Sequence, residues 1–211
     1  LSPTGARAAF EARGEIFTVP AKKGDARNVS ASPATAERDP VWSPDGLRLA
    51  YFSDAGGEYA LHVKAQDGTG EAKVVGLGSP PSFFYQPRWS PDGKKILYHD
   101  KRLTLWYVNV DGGAPVKVDQ DYAETFERSL DPAWSPDSRW IAYTKKLPSN
   151  MHAVFVYDLE GKTSFQATDG LSDARYPAFD ASGKYLYFTA STDLGPASSW
   201  LDLSGVGRPV T

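Results

Sequence analysis

The chain has no cysteine, so disulfide staples and thiolate metal sites are excluded. It has no excess of either charge: 23 Lys and Arg stand against 26 Asp and Glu, and the signs are mixed along its length. A nucleic-acid partner normally needs a basic face, so none is expected. No apolar run approaches the roughly 18 residues of a membrane span, and the first residues show no signal-peptide pattern. There is no Gly-x-Ser-x-Gly elbow, phosphate loop, zinc pattern or EF-hand loop, so neither cofactor nor metal is expected. Histidine is scarce: His62, His99 and His152 fall in different repeats without ligand spacing, and read as surface or interface residues. His99 and Asp100 are neighbours, but adjacent strand residues point to opposite faces.

What is present is a repeat. Trp42-Ser43-Pro44-Asp45-Gly46 returns as Trp89-Ser90-Pro91-Asp92-Gly93 and as Trp134-Ser135-Pro136-Asp137-Ser138. A degraded copy stands at Phe179-Asp180-Ala181-Ser182-Gly183, and a partial one, Ser2-Pro3-Thr4-Gly5, opens the chain. The aromatics at 42, 89, 134 and 179 are 47, 45 and 45 residues apart. Self-similarity at a period of roughly 40–45 residues, with strand-like residues between the marks, signals a β-propeller. Ser at i, Pro at i+1 and Gly at i+3 suit a type I turn. Asp45, Asp92 and Asp137 are explained by that turn without repeated cation sites.

One period reads as a four-stranded antiparallel blade. After the turn at 43–46, Leu47 to Phe52 is a strand, Tyr59 to Lys64 the next, and Glu71 to Val75 a short fourth. The repeat divides the chain into units of approximately 1–36, 37–78, 79–124, 125–170 and 171–211. Pro40, Pro87, Pro132 and Pro177 each stand two residues before the block aromatic. A missing N–H is tolerated at a sheet edge and not in its centre, so the proline strand is a blade edge, placed at the central channel. Trp42, Trp89, Trp134 and Phe179 are expected to pack between blades. The count predicts an all-β propeller arc of about five blades, the first and last incomplete, belonging to a fragment of a larger six- to eight-bladed ring.

Candidate binding residues lie in the loops entering the innermost strand: Glu37-Arg38-Asp39, Phe83-Phe84-Tyr85-Gln86, Glu127-Arg128-Ser129-Leu130-Asp131 and Asp173-Ala174-Arg175-Tyr176. One reading makes Arg38, Tyr85, Arg128, Arg175 and Tyr176 a channel mouth that grips extended peptide, arginine meeting carboxylate and tyrosine meeting side chains. The other makes the arginines structural ties between adjacent blades. No catalytic residue is identified.

The Trp-Ser-Pro-Asp-Gly-x-x-x-x-Tyr unit resembles the WD40-like repeat of TolB, of prolyl-oligopeptidase-class propellers and of tricorn protease. Longer phrases are similar to tricorn-type sequences: "ERDPVWSPDGLRLAY" from Glu37, "KRLTLWYVNVDG" from Lys101, and the run from Asp131 to Asp193 containing "DPAWSPDSRWIAYTKKL" and "TDGLSDARYPAFDASGKYLYFTASTD". That resemblance implies the propeller leading into the catalytic half of a large serine peptidase, which also carries a PDZ domain and a catalytic domain of the S41 class. It further implies oligopeptide or unfolded polypeptide as substrate, the rest of the parent chain as partner, possible homo-oligomers, and a cytoplasmic location with the periplasm as the other option. No position here matches the family's catalytic Ser or His. The alternative implied by the TolB likeness is a protein-binding propeller with no enzymatic role.

Overall fold

The computed structural model describes residues 1–122, 130–191, 197–198 and 201–202. Among them every regular element is a strand. The chain divides into two compact units, Leu1–Lys117 and Val118–Thr211.

The first unit opens with a three-stranded antiparallel sheet of β1 (Arg7–Ala12), β2 (Glu15–Pro20) and β3 (Arg27–Asn28). A four-stranded sheet follows, in the order β4 (Glu37–Trp42), β5 (Arg48–Ser53), β6 (Ala60–Ala65) and β7 (Lys73–Val75). The next is β8 (Phe84–Trp89), β9 (Lys95–Asp100), β10 (Thr104–Asn109) and β11 (Val116–Gln120), the last running across the division between units. The second unit holds a four-stranded sheet of β12 (Ala133–Trp134), β13 (Trp140–Lys146), β14 (His152–Asp158) and β15 (Thr163–Gln166). It also holds the pair β16 (Asp173–Phe179) and β17 (Leu186–Ser191), and the short pair β18 (Ala197–Ser198) and β19 (Leu201–Asp202). Each sheet is a meander of sequential strands, the construction of a propeller blade.

The repeated block builds the turn between the first two strands of each full blade. Gly46 N donates to Ser43 O at 2.9 Å, and Arg48 N donates to Ser43 Oγ at 2.9 Å. The Ser43 hydroxyl in turn donates to Asp45, whose carboxylate accepts Leu47 N at 2.9 Å. Ser90 with Asp92, and Ser135 with Asp137, make the same bonds. Gly46 and Gly93 have φ of 71° and 69° there, and Ser138 holds φ 60°, a left-handed conformation that glycine adopts more easily. In the degraded copy the Asp180 carboxylate replaces the serine hydroxyl and accepts Tyr185 N at 2.9 Å.

The proline strands are sheet edges, and Pro40, Pro87 and Pro177 sit in β-bulges, whereas Pro132 lies just before the short strand β12. On β4, Arg38 pairs with Phe52 and Val41 with Ala50, so Asp39 and Pro40 together oppose Tyr51. On β8, Gln86 and Pro87 oppose Tyr98; on β16, Tyr176 and Pro177 oppose Phe188. Asp39, Gln86 and Tyr176 have φ of 55°, 51° and 55°. Two residues against one leave the proline out of the ladder, which then resumes beyond it. The opposing Tyr51 and Tyr98, with Tyr143 at the same repeat position, are almost wholly buried, and burial raises each phenol above its ordinary pKa.

The cores lie between blades. Ile16 of the first sheet and Val29, just past its last strand, pack with Trp42, Leu49 and Tyr51 of the second. Phe52, Leu61 and Val63 of the second pack with Phe84, Trp89, Ile96 and Tyr98 of the third. Trp89 also donates its indole N–H to Val41 O at 3.3 Å, beneath the Arg48 guanidinium. Trp42 and Trp89 are buried, whereas Trp134 and Phe179 are half-buried.

Candidate functional site

The candidate residues stand in strands rather than in the loops where the sequence puts them. β4 begins at Glu37, β8 at Phe84 and β16 at Asp173, because each bulge lets pairing resume on the N-terminal side of its proline. Arg38, Tyr85 and Arg175 therefore occupy one repeat position, immediately before the bulge residue. Tyr176 is itself a bulge residue. Arg128 lies outside the described residues.

In the first unit Arg38 and Tyr85 come together. Arg38 Nη2 donates to the backbone oxygen of Phe84 on the next blade at 3.1 Å. The guanidinium lies 3.7 Å from the centre of the Phe83 ring, 4.7 Å from Tyr59 and 6.0 Å from Tyr85. Phe83 itself stands 5.2 Å from both tyrosines. A planar cation among aromatic faces gains cation–π energy while keeping its hydrogen-bond edge for a carbonyl. Arg38 thus ties two blades and braces the aromatic wall. The adjoining bulge residue Gln86 is exposed.

In the second unit the site is built around Asp173. Its Oδ1 accepts from both the backbone N–H of His152 and the His152 ring at Nδ1, each at 2.7 Å. Its Oδ2 accepts Arg175 Nε at 2.8 Å. His152 starts β14 and Asp173 starts β16, so the carboxylate bridges two blades. Burial alone raises the Asp173 carboxyl, but the His152 bonds and the cationic neighbours outweigh it and hold the group below its ordinary value. Burial, with Arg175 and Lys146 adding, pushes the imidazole of His152 down despite the carboxylate. Tyr176, next along the strand, is 53% exposed.

Two features escape a reading of the sequence. Of the surface and interface readings of the histidines, the surface one does not hold: His62, His99 and His152 are 8%, 5% and 2% exposed, and His152 lies at a junction between blades. Nothing in their spacing signals this, since Asp173 lies a blade away from its partner. The bulge residues Asp39 and Gln86 were marked only by the proline after them. Asp100 turns out to be structural: its Oδ1 accepts Arg102 N and Thr104 N, and its Oδ2 accepts the Trp106 indole, closing the β9–β10 hairpin. Among the described residues no group of three His, Cys, Asp or Glu side chains is placed to hold a metal, and no helix is long and apolar enough to cross a membrane.

The comparisons with known proteins agree with this architecture. The chain is similar to the Tricorn protease of Thermoplasma acidophilum, 32% identical over 102 residues that cover 46% of this chain and 9% of that one. The crystal structure of the tricorn protease superposes with a TM-score of 0.73 at 25% identity, covering 92% of this chain and 19% of that one. A TolB-type protein from Agrobacterium tumefaciens shares the fold, with a TM-score of 0.61 at 22% identity over 92% of this chain and 69% of its own. The matched segment thus covers about a tenth of the curated tricorn relative, and nearly the whole chain about a fifth of the solved tricorn protease chain. The model of the tricorn protease second beta propeller domain matches residues 1–204. The chain belongs to the family of tricorn protease second β-propeller domains.

Proposed function

We propose that this propeller segment channels extended oligopeptides towards a catalytic domain carried elsewhere in a tricorn-like serine peptidase. The match to the second-propeller family over residues 1–204 carries the reading. The edge strands suit it: β4, β8 and β16 each present a kinked residue at a repeated position, and Gln86 and Tyr176 are exposed there. Tyrosine offers apolar contact with a hydrogen-bonding tip, and amide side chains offer both donor and acceptor to a peptide backbone. Arg38 and Arg175 act in this scheme each as the brace of its own edge strand, with Tyr85 in the wall Arg38 supports and Arg128 as a further contact. The units 1–36, 37–78, 79–124, 125–170 and 171–211 are its repeats. The parent's PDZ and catalytic domains are its partners, and the cytoplasm is its compartment.

The test uses the full-length parent. Alanine at Tyr176 and at Arg128 is expected to lower kcat/KM for long peptides several-fold while leaving very short peptides and the melting temperature unchanged. Equal loss for both lengths, or none for either, overturns the proposal. A parent chain without any peptidase domain overturns it in favour of a protein-binding propeller.

A further inference from the structure

Beyond the tie already described, the surroundings of His152 make the junction between β14 and β16 sensitive to protons. The imidazole is 2% exposed and is held at Nδ1 by Asp173. Lys146 of β13 pairs across the ladder with His152 and is itself 8% exposed. Arg175 shares the Asp173 carboxylate from β16. β15, on the other side of β14, contributes no charged residue. With the ring neutral, the Asp173 carboxylate is shared with Arg175, and Lys146 stands at the paired position beside the ring on β13. Adding a proton to the ring buries a second positive charge beside that lysine, where water scarcely reaches either group and the one carboxylate is already shared.

We infer that His152 is a positioning residue for β16: its neutral imidazole locks Asp173, and through it the strand carrying Arg175 and Tyr176, and protonation of the ring releases that strand. Acid then loosens the edge that presents Tyr176. If peptide runs along this edge, acid also weakens the handling of long substrates. That second half rests on the channelling reading, whereas the latch itself does not.

The experiment is hydrogen exchange on the full-length protein, followed peptide by peptide at about pH 7.5 and pH 5.5, on either side of an ordinary imidazole near 6.5. Rates are corrected for intrinsic exchange. Protection of β16 and β17 is expected to fall about ten-fold at the lower pH, with β1 and β2, which carry no histidine, unchanged. His152→Gln, which cannot titrate in this range, is expected to remove the difference. Asp173→Asn, which keeps an acceptor oxygen, is expected to lower protection at both pH values. Equal protection of β16 at both pH values in the unmodified protein overturns the latch, whatever the variants do. A difference that persists in His152→Gln also overturns it. Turnover then separates the two ideas: acid-dependent opening with no matching acid loss on long peptides leaves the latch standing and overturns the channelling reading.

Discussion

Ser90 shows how much one hydroxyl closes in this fold. It is fully buried, accepts Lys95 N at 2.9 Å and donates to Asp92. Ser90→Ala leaves a backbone N–H without its partner and is expected to cost about 1–3 kcal/mol, read by chemical denaturation. A loss near zero would mean the turn holds without the side chain. The titratable residues set a pH dependence of stability. Burial lowers His62 and His152, and the serine hydroxyls, followed by backbone amides, lower Asp45 and Asp137. Each group has a folded pKa below its unfolded value, so each contributes fully above the unfolded pKa and loses its contribution as pH falls through the folded one. Stability is expected to decline first below about pH 6.5 through the histidines, then again below about pH 4 through the aspartates. Denaturation midpoints across that range check it, and a midpoint that stays flat from neutral pH to about pH 5 would contradict the histidine part. Serine, proline and aspartate at these positions were legible as a turn because turn chemistry is local. The buried state of His152 was not, because its partner comes from the next blade.

Among the elements, the edge strands depart most from what their sequence suggests. Proline marked β4, β8 and β16 as edges, and the sheet order places them there. The bulges follow from a strand that cannot bond at its proline yet resumes pairing on both sides. Their φ values needed the structure, because the non-glycine residues Asp39, Gln86 and Tyr176 carry no local signal for a left-handed turn. The block aromatics also diverge. Trp89 lies in a complete core between two blades and donates to Val41, so Trp89→Ala is expected to cost about 3–5 kcal/mol. Phe179 is half-buried, so Phe179→Ala is expected to cost less than half as much. Paired thermal melts compare them, and equal losses would mean that repeat position rather than burial sets the energy.

For the whole molecule, the 211-residue chain by itself is expected not to hydrolyse peptides, because its sequence has no Gly-x-Ser-x-Gly elbow and no position that matches the catalytic Ser or His of the family it resembles. Fluorogenic peptide turnover by highly purified chain, with labelling by a serine-directed phosphonate, would contradict this. The sequence by itself determined the all-β class, the period, the turn, the edge position of the proline strands and the tricorn kinship. Each of these depends on residues close together in the chain, and the repetition multiplied a weak local signal. Only the tertiary structure decided which side chains meet across blades: Arg38 with Phe83 and Tyr59, and His152 with Asp173. These contacts join residues about 20 to 50 positions apart, and ladder register together with inter-blade packing fixes them.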